Sequence, residues 1–471
     1  MEPVELHKLA EVTHGSVIGD ATTRVHHVTQ DSRTVRPGSL FVARRGANFD
    51  GTAFIEQAVR DGAVALAVEA AVTADVAQLV CPDLQQNIGP IAHFVAGNPS
   101  ERMCVIGVTG TNGKTSVVTL IAALLRRLGK RVEVIGTLTG VRTTPEGTDL
   151  ALQLREFAER EVEFVAMEVS SHAIELGRVN GVHFEVVAFT NLGIDHLDFH
   201  GSQQNYFESK AALFDPRFAN AALINVDDVF GRQLAERTSL PHHDIALGLV
   251  QPYAVVDGET DLTWRGHRIR TPLVGEHNLS NLCMALELVA TVLDDEAAIA
   301  DAAQQISGAP GRFEAVSLGQ PFSVIVDYAH TPDGLESVLS TARKLAGDHR
   351  VITVFGCGGD RDRSKRPLMG AIASRLSDLV IVTNDNPRSE SPEAIAKSVV
   401  GGIERDNFRV HLDRLVAIRV ALENSLSGDV VMICGKGHET SQIIGDDVVP
   451  FDDRVVAAEA LGVLGFSKEP S

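Results

Sequence analysis

Val105-Ile106-Gly107-Val108-Thr109-Gly110-Thr111-Asn112-Gly113-Lys114-Thr115-Ser116 is the stretch on which the fold turns. The apolar run from Met103 to Val108 predicts a strand that enters a Gly-rich turn. Beyond it Val117, Val118, Leu120, Ile121, Leu124, Leu125 and Leu128 recur at helical spacing, and Gly129 closes the helix. A strand, a glycine turn and a helix in that order form a phosphate cradle. Glycines let successive N–H groups converge on phosphate oxygens, and the helix N-terminus adds partial positive charge. Lys114 would reach terminal phosphates and the Thr115 hydroxyl would hold Mg²⁺. The spacing departs from the usual Gly-x-x-x-x-Gly-Lys-Thr pattern, because Val108 stands at the first glycine position between Gly107 and Gly110.

The 471 residues provide for two to four domains, and a hydrophobic fraction of 44% with no apolar run of membrane-spanning length predicts a soluble globular protein. The start, Met1-Glu2-Pro3-Val4-Glu5, has neither a basic nor an apolar leader region, so a cytoplasmic location is expected. Five cysteines without a Cys-x-x-Cys pair read as reduced core residues. A formal charge of −20 argues against nucleic acid or anionic membrane as partners, so an anionic substrate must be met by local cations.

Working outward, residues 1–101 read as a small α/β unit, with Asn98-Pro99-Ser100-Glu101 as its linker. In residues 102–309, the apolar runs Val132 to Thr137, Phe164 to Val169, Val186 to Thr190 and Leu223 to Val226 alternate with helical stretches. Residues 310–471 repeat the pattern with Val324 to Asp327, Val351 to Phe355, Leu379 to Thr383 and Val430 to Cys434. Such alternation predicts two doubly wound, mostly parallel sheets, with ligands beyond the carboxyl ends of their strands. Glu168 ends one strand and can serve a nucleotide Mg²⁺. Asp385-Asn386-Pro387-Arg388 and Gly435-Lys436-Gly437-His438-Glu439 both follow strands and share one rim. Gly356-Cys357-Gly358-Gly359 fails the dinucleotide spacing, which discounts NAD.

Gly-Thr-Asn-Gly-Lys-Thr resembles the nucleotide loop of the Mur ligases and folylpolyglutamate synthetases, ATP-dependent enzymes that form amides. Glu168-Val169-Ser170-Ser171-His172, Asp195-His196-Leu197-Asp198 and the helical Lys210 together resemble the Mur ligases, as does Asp327-Tyr328-Ala329-His330. The resemblance covers nearly the whole chain. It implies three domains: an N-terminal UDP-binding unit, a central phosphate-loop unit and a Rossmann-like C-terminal unit. It implies ATP contacts from Gly110, Thr111, Asn112, Gly113, Lys114, Thr115, Ser116, Asn278, Asn281, Arg312 and Asp327. Lys114, Glu168, His196, Lys210 and His330 are implied as catalytic, with Lys210 carbamylated. Two Mg²⁺ ions would be held by Thr115, Glu168, His196 and that carbamate. A lysine must be neutral to react with CO₂, so its site must favour deprotonation.

Asp-Ser-Arg at residues 31–33 and the turn that follows resemble the family's UDP-binding domain, so Ser32, Ala47, Asn48 and Phe49 are implied contacts of the uridine diphosphate. Thr143, Thr144, Ser170 and Arg178 match positions that hold the muramoyl-peptide; where relatives often carry Gln, this chain has Leu176. Asp-Asn-Pro-Arg resembles the signature of the branch that adds meso-diaminopimelate to a UDP-N-acetylmuramoyl-dipeptide. A guanidinium can grip that amino acid's distal carboxylate and a Glu can meet its ammonium. Arg361, Asp385, Asn386, Pro387, Arg388, Gly435 and Glu439 are therefore the implied pocket. The implied protein is a monomeric, cytoplasmic ligase of peptidoglycan synthesis. The alternatives are the same reaction with L-lysine or another diamino acid, a folylpolyglutamate or cyanophycin-type ligase, and a catalytically silent nucleotide-binding module.

Overall fold

A computed structural model describes residues 3–45, 50–256 and 259–467, and the backbone alone of Leu197 and Asp198. Three α/β units succeed one another. The first carries α1 (Leu6–Thr13), α2 (Ile55–Arg60) and α3 (Leu84–Ala96) around a five-stranded sheet. Its strands are β1 (Ser16–Ile18), β2 (His27–Thr29), β3 (Ser39–Val42), β4 (Ala63–Val68) and β5 (Ala77–Val80), in spatial order β1-β5-β4-β3-β2. Only the β1–β5 pair is antiparallel.

The central unit is a six-stranded parallel sheet of β6 (Cys104–Thr109), β7 (Val132–Ile135), β8 (Phe164–Glu168), β9 (Phe184–Phe189), β10 (Ala219–Asn225) and β11 (His242–Ile245). The spatial order is β11-β10-β9-β6-β8-β7, so the chain reverses direction across the sheet at β6. That reversal opens a crevice at the end of β6, where the glycine turn lies. Alternation along β6 decides the faces. Ile106 and Val108 pack with α4 (Lys114–Arg127), while Val105 packs with α5 (Gly147–Glu159) on the other side. Helix α6 (Gln203–Ala211) joins the second face through Tyr206 and Phe207.

The parallel alternation expected across 102–309 stops after β11. An antiparallel meander of β12 (Tyr253–Val256), β13 (Glu259–Trp264) and β14 (His267–Thr271) follows. It buries Leu262, Trp264 and Ile269 in the core shared by α4 and α7 (Glu276–Val292). In β13 and β14 buried and less buried positions alternate, as in a sheet with one face on the core.

The last unit contains β15 (Ser323–Asp327), α8 (Pro332–Ala346), β16 (Val351–Phe355), β17 (Leu379–Val382), β18 (Phe408–Val410) and β19 (Val430–Cys434). These strands are parallel in the order β15-β19-β16-β17-β18, with Glu314–Ala315 antiparallel on the β15 edge. A hairpin of β20 (Ser441–Ile444) and β21 (Asp447–Pro450) stands beyond β19. All five cysteines are unpaired, and all but Cys104 are buried.

Candidate active site

The loop after β6 is shaped by glycines that no other residue replaces. Gly110 has φ +146°, and a Cβ there would lie 1.9 Å from Thr190 Oγ1. Gly113 has φ +87° and abuts Asn281 Oδ1, so the loop and α7 approach at backbone distance. The loop is tied to the end of β9, where Asn112 N donates to Asn191 Oδ1 (3.0 Å) and Thr190 Oγ1 donates to the Asn112 carbonyl (2.6 Å).

Lys114 folds back so that Nζ donates to the carbonyls of Gly110 and Thr111, each at 2.9 Å. Burial lowers its affinity for a proton, opposed by the charges of Glu168 and Asp195. Thr115 Oγ1 donates to Glu168 Oε2 at 3.0 Å, and Thr137 N donates to Oε1 at 2.8 Å. A threonine hydroxyl beside a buried carboxylate at a phosphate loop fits Mg²⁺, whose remaining positions water and phosphate can fill. No group of three or more His, Cys, Asp or Glu side chains able to hold a metal exists among the described residues.

Lys210, on α6, reaches the same loop: its Nζ donates to the Gly110 carbonyl at 2.8 Å and lies 4.5 Å from the Tyr206 ring centre. It is 1% exposed. Burial and then the Lys114 charge hold its ammonium well below the ordinary lysine range, which favours the neutral amine that reacts with CO₂. His196 adopts φ +53° on the loop after β9, with its ring 4.9 Å from His172 and 6.2 Å from Tyr206.

The third unit closes this crevice. Arg312 donates to Thr115 Oγ1 at 3.2 Å, and its guanidinium lies 4.4 Å from the Tyr328 ring centre. Asp327 accepts from Phe313 N (2.7 Å) and Ala329 N (2.6 Å), so its side chain fixes the turn after β15. His330 Nδ1 donates to the Tyr328 carbonyl at 2.8 Å, which leaves Nε2 as the nitrogen available to a ligand. Burial keeps this ring toward the neutral form. Between the units lies a cleft of about 350 Å³ lined by Asn112, Gly113, Ser116, Asn278, Asn281, Arg312, Asp327 and His330. Arg312 Nε and His277 Nε2 are buried there without hydrogen-bond partners, as expected of a wall built for a polar ligand. Asn278 does not cap α7, where Gly275 holds the cap position; its Nδ2 donates to the Val274 carbonyl at 3.0 Å.

Two residues that brace the walls of this cleft were not singled out in the sequence. Asp333, in the first turn of α8, accepts from Ile194 N at 2.7 Å and so holds the loop that carries His196. Lys365 Nζ donates to the His330 carbonyl at 2.8 Å. Thr331-Pro332-Asp333 directly after His330 was the available signal for the first; an isolated lysine offered none for the second.

The expected UDP-side residues divide. Ala47, Asn48 and Phe49 lie outside the described residues. Ser32 begins the turn Ser32–Thr34, which Asp31 caps through Arg33 N. Thr143 Oγ1 meets Thr137 Oγ1 at 3.0 Å, and Thr144 Oγ1 donates to the Glu168 carbonyl at 2.9 Å. Ser170 caps the short helix Ser171–Glu175 by accepting from Ala173 N. Arg178 pairs with Glu146 at 2.8 Å, and its Nε is buried without a partner. Burial, then the charges of Arg142 and Arg44, lower its proton affinity to about 10. The three arginines concentrate positive charge at one place in an otherwise acidic protein; Arg142 and Arg44 were not read from the sequence.

The amino-acid residues assemble on the rim of the third sheet. Asn386 Nδ2 donates to Glu439 Oε2 at 2.9 Å, and Lys436 Nζ donates to the same oxygen at 2.8 Å. Arg388 adopts φ +51° and donates to the Gly359 carbonyl at 2.8 Å. Gly358 is flanked by Arg388 and Arg361, at 3.0 and 3.7 Å from its Cβ position. Asp385 is buried, and Gly435, with φ +115°, leaves it room: a Cβ there would lie 2.6 Å from Asp385 Oδ2. Pro387 packs its carbonyl against Gly359. This rim connects to the phosphate loop through the stack His438–Tyr328–Arg312, the first pair 5.0 Å between ring centres.

A phosphate loop and a second parallel sheet sharing one cleft, with a charged amino-acid rim beside it, define a three-domain nucleotide-dependent ligase. The comparisons agree across all three units: the Mur ligase family catalytic domain matches residues 24–98, the Mur ligase middle domain 108–289, and the Mur ligase glutamate ligase domain 311–437. The chain belongs to the Mur ligase family. A UDP-N-acetylmuramoyl-L-alanyl-D-glutamate--2,6-diaminopimelate ligase of Geobacillus thermodenitrificans is 42% identical over 92% of this chain and 94% of its own. Its counterpart from Syntrophomonas wolfei is 40% identical over 94% and 96%. A solved structure of a ligase of that name aligns with TM-score 0.71 and 31% identity, covering 99% of this chain and 100% of that one.

Proposed function

We propose that the chain is an ATP-dependent ligase that joins meso-diaminopimelate to UDP-N-acetylmuramoyl-L-alanyl-D-glutamate in peptidoglycan synthesis. The observation that carries this reading is the rim of Arg361, Asn386, Arg388 and Glu439, joined by His438–Tyr328–Arg312 to Thr115 of the phosphate loop. It supports an acid acceptor and an amine donor meeting beside a triphosphate.

In this mechanism ATP phosphorylates the γ-carboxylate of the D-Glu residue, and an amine of meso-diaminopimelate attacks the acyl phosphate. The tetrahedral intermediate then expels phosphate and leaves the amide. Lys114 leaves its two loop carbonyls for the phosphates, and Arg312 and His330 stabilise the charge that develops on transfer. Mg²⁺, when bound, neutralises the crowded phosphate and carboxylate charge; Thr115, Glu168, His196 and a carbamate on Lys210 would hold it. Arg44, Arg142 and Arg178 orient the UDP precursor. Arg388 grips the distal carboxylate of the amino acid while Glu439 takes its ammonium. Closure of the third unit over the other two excludes water from the acyl phosphate. The units expected at 1–101, 102–309 and 310–471 would then supply one substrate site each.

No described helix is long and apolar enough to cross a membrane. ADP release measured with the UDP-dipeptide plus meso-diaminopimelate, L-lysine or no amine tests the function. Release that requires meso-diaminopimelate is the expected result; equal use of L-lysine would overturn the choice of amino acid.

A further inference from the structure

Lys436 is fully buried, with 0% of its surface exposed, and no step above uses it. It follows Gly435, whose backbone φ of +115° turns the chain off β19 over Asp385. Its Nζ donates to Asn386 Oδ1 at 3.1 Å and to Glu439 Oε2 at 2.8 Å. Asn386 Oδ1 also accepts from Ile443 N at 3.0 Å, so the amide can face only one way, with Nδ2 toward Glu439. The chain after the lysine passes close to Gly311 and Tyr328: a Cβ at Gly437 would lie 2.6 Å from the Gly311 carbonyl. Glu439, by contrast, keeps 30% of its side-chain surface open. Folding does not call for an ion pair here: buried pairs are often replaceable by apolar groups of similar volume without loss of stability. A buried cation that orients a rim carboxylate partly open to a ligand has a different use.

We propose that Lys436 is a positioning residue for the amine-supplying substrate, setting the direction and ionised state of Glu439 and the amide orientation of Asn386 without touching the substrate. The inference rests on the reading of this rim as the diaminopimelate pocket. Burial alone would favour the neutral Glu439 carboxyl; the Lys436 hydrogen bond and charge outweigh it and hold the group below the ordinary carboxylate range. The lysine thus keeps a carboxylate ready for the distal ammonium.

The test is a double-mutant cycle of Lys436→Met and Glu439→Gln, read as the separate KM values for meso-diaminopimelate, ATP and UDP-dipeptide. Lys436→Met should raise KM for meso-diaminopimelate about ten- to a hundredfold, the range for losing a charged hydrogen bond, with the other two KM values within about twofold. Adding it to Glu439→Gln should cost little more, since the two act through one group. Lys436→Gln, which keeps a neutral donor, is the second variant, and thermal stabilisation by ATP identifies the variants that fold. Additive effects, an unchanged amine KM, or equal rises in all three values would overturn the proposal. ADP release by the unmutated enzyme that ignores meso-diaminopimelate would instead overturn the ligase reading on which it rests.

Discussion

At the scale of single residues, the chemistry turns on side chains held in states they would not adopt in water. Lys210 is the clearest case: burial and then the neighbouring Lys114 charge lower its proton affinity, the direction that the proposed carbamate requires. Intact-protein mass measured under gentle conditions should show an added mass equal to CO₂, absent from Lys210→Met. That variant should lose about 10²- to 10³-fold in kcat, as when a charge-stabilising group leaves a catalytic site. Full activity in Lys210→Met would contradict the role. Arg388 is held in the left-handed region, and its guanidinium donates to the Gly359 carbonyl. Arg388→Ala should lower kcat/KM for meso-diaminopimelate about 10²-fold, the loss of a bidentate carboxylate contact, while KM for ATP stays the same. An unchanged kcat/KM would place the distal carboxylate elsewhere.

At the scale of elements, the loops after strands matter more than the strands. Gly193 lies so close to α8 that a Cβ would sit 2.3 Å from Asp333 Oδ2, and Asp333 in turn holds Ile194 N. Gly193→Ala should push α8 away from the loop that carries His196 and lower kcat about tenfold or more, whereas Asp333→Asn, which keeps the acceptor, should retain most of the rate. Steady-state ADP release checks both. Helix α3 allows a stability test: His93 is 1% exposed, and both of its ring nitrogens lack partners. Burial lowers its pKa from 6.5 to about 4, so between those values the unfolded chain binds the proton and the folded chain does not. Stability is therefore complete above about pH 6.5 and falls as pH drops toward 4. His93→Leu should add about 1–3 kcal/mol and flatten that acid slope in thermal melts.

The same scale shows what the sequence could and could not carry. Strands β6, β8, β9, β15, β16, β17 and β19 were legible because parallel strands buried on both faces are continuous apolar runs. The β12–β14 meander was missed because its polar-alternating strands sit between charged residues and resemble a solvated loop. Among site residues, Lys114, Glu168 and Arg388 sit in motifs at strand ends. Arg44, Arg142 and Lys365 are brought to their places by the fold, and sequence spacing does not encode that.

At the scale of the whole molecule, the central and third units converge on one crevice. Arg312 spans it, touching Thr115 of the central unit from the start of the third. Arg312→Ala should raise KM for ATP and lower kcat together, because it removes both a phosphate-side cation and a contact that favours the closed form. The most direct measurement is ADP and product analysis with ATP, the UDP-dipeptide and meso-diaminopimelate, omitting each in turn. The account predicts steady ADP release only when all three are present, with one UDP-tripeptide formed for each ADP. ADP release at the same rate without the amine, or without any new amide, would contradict it.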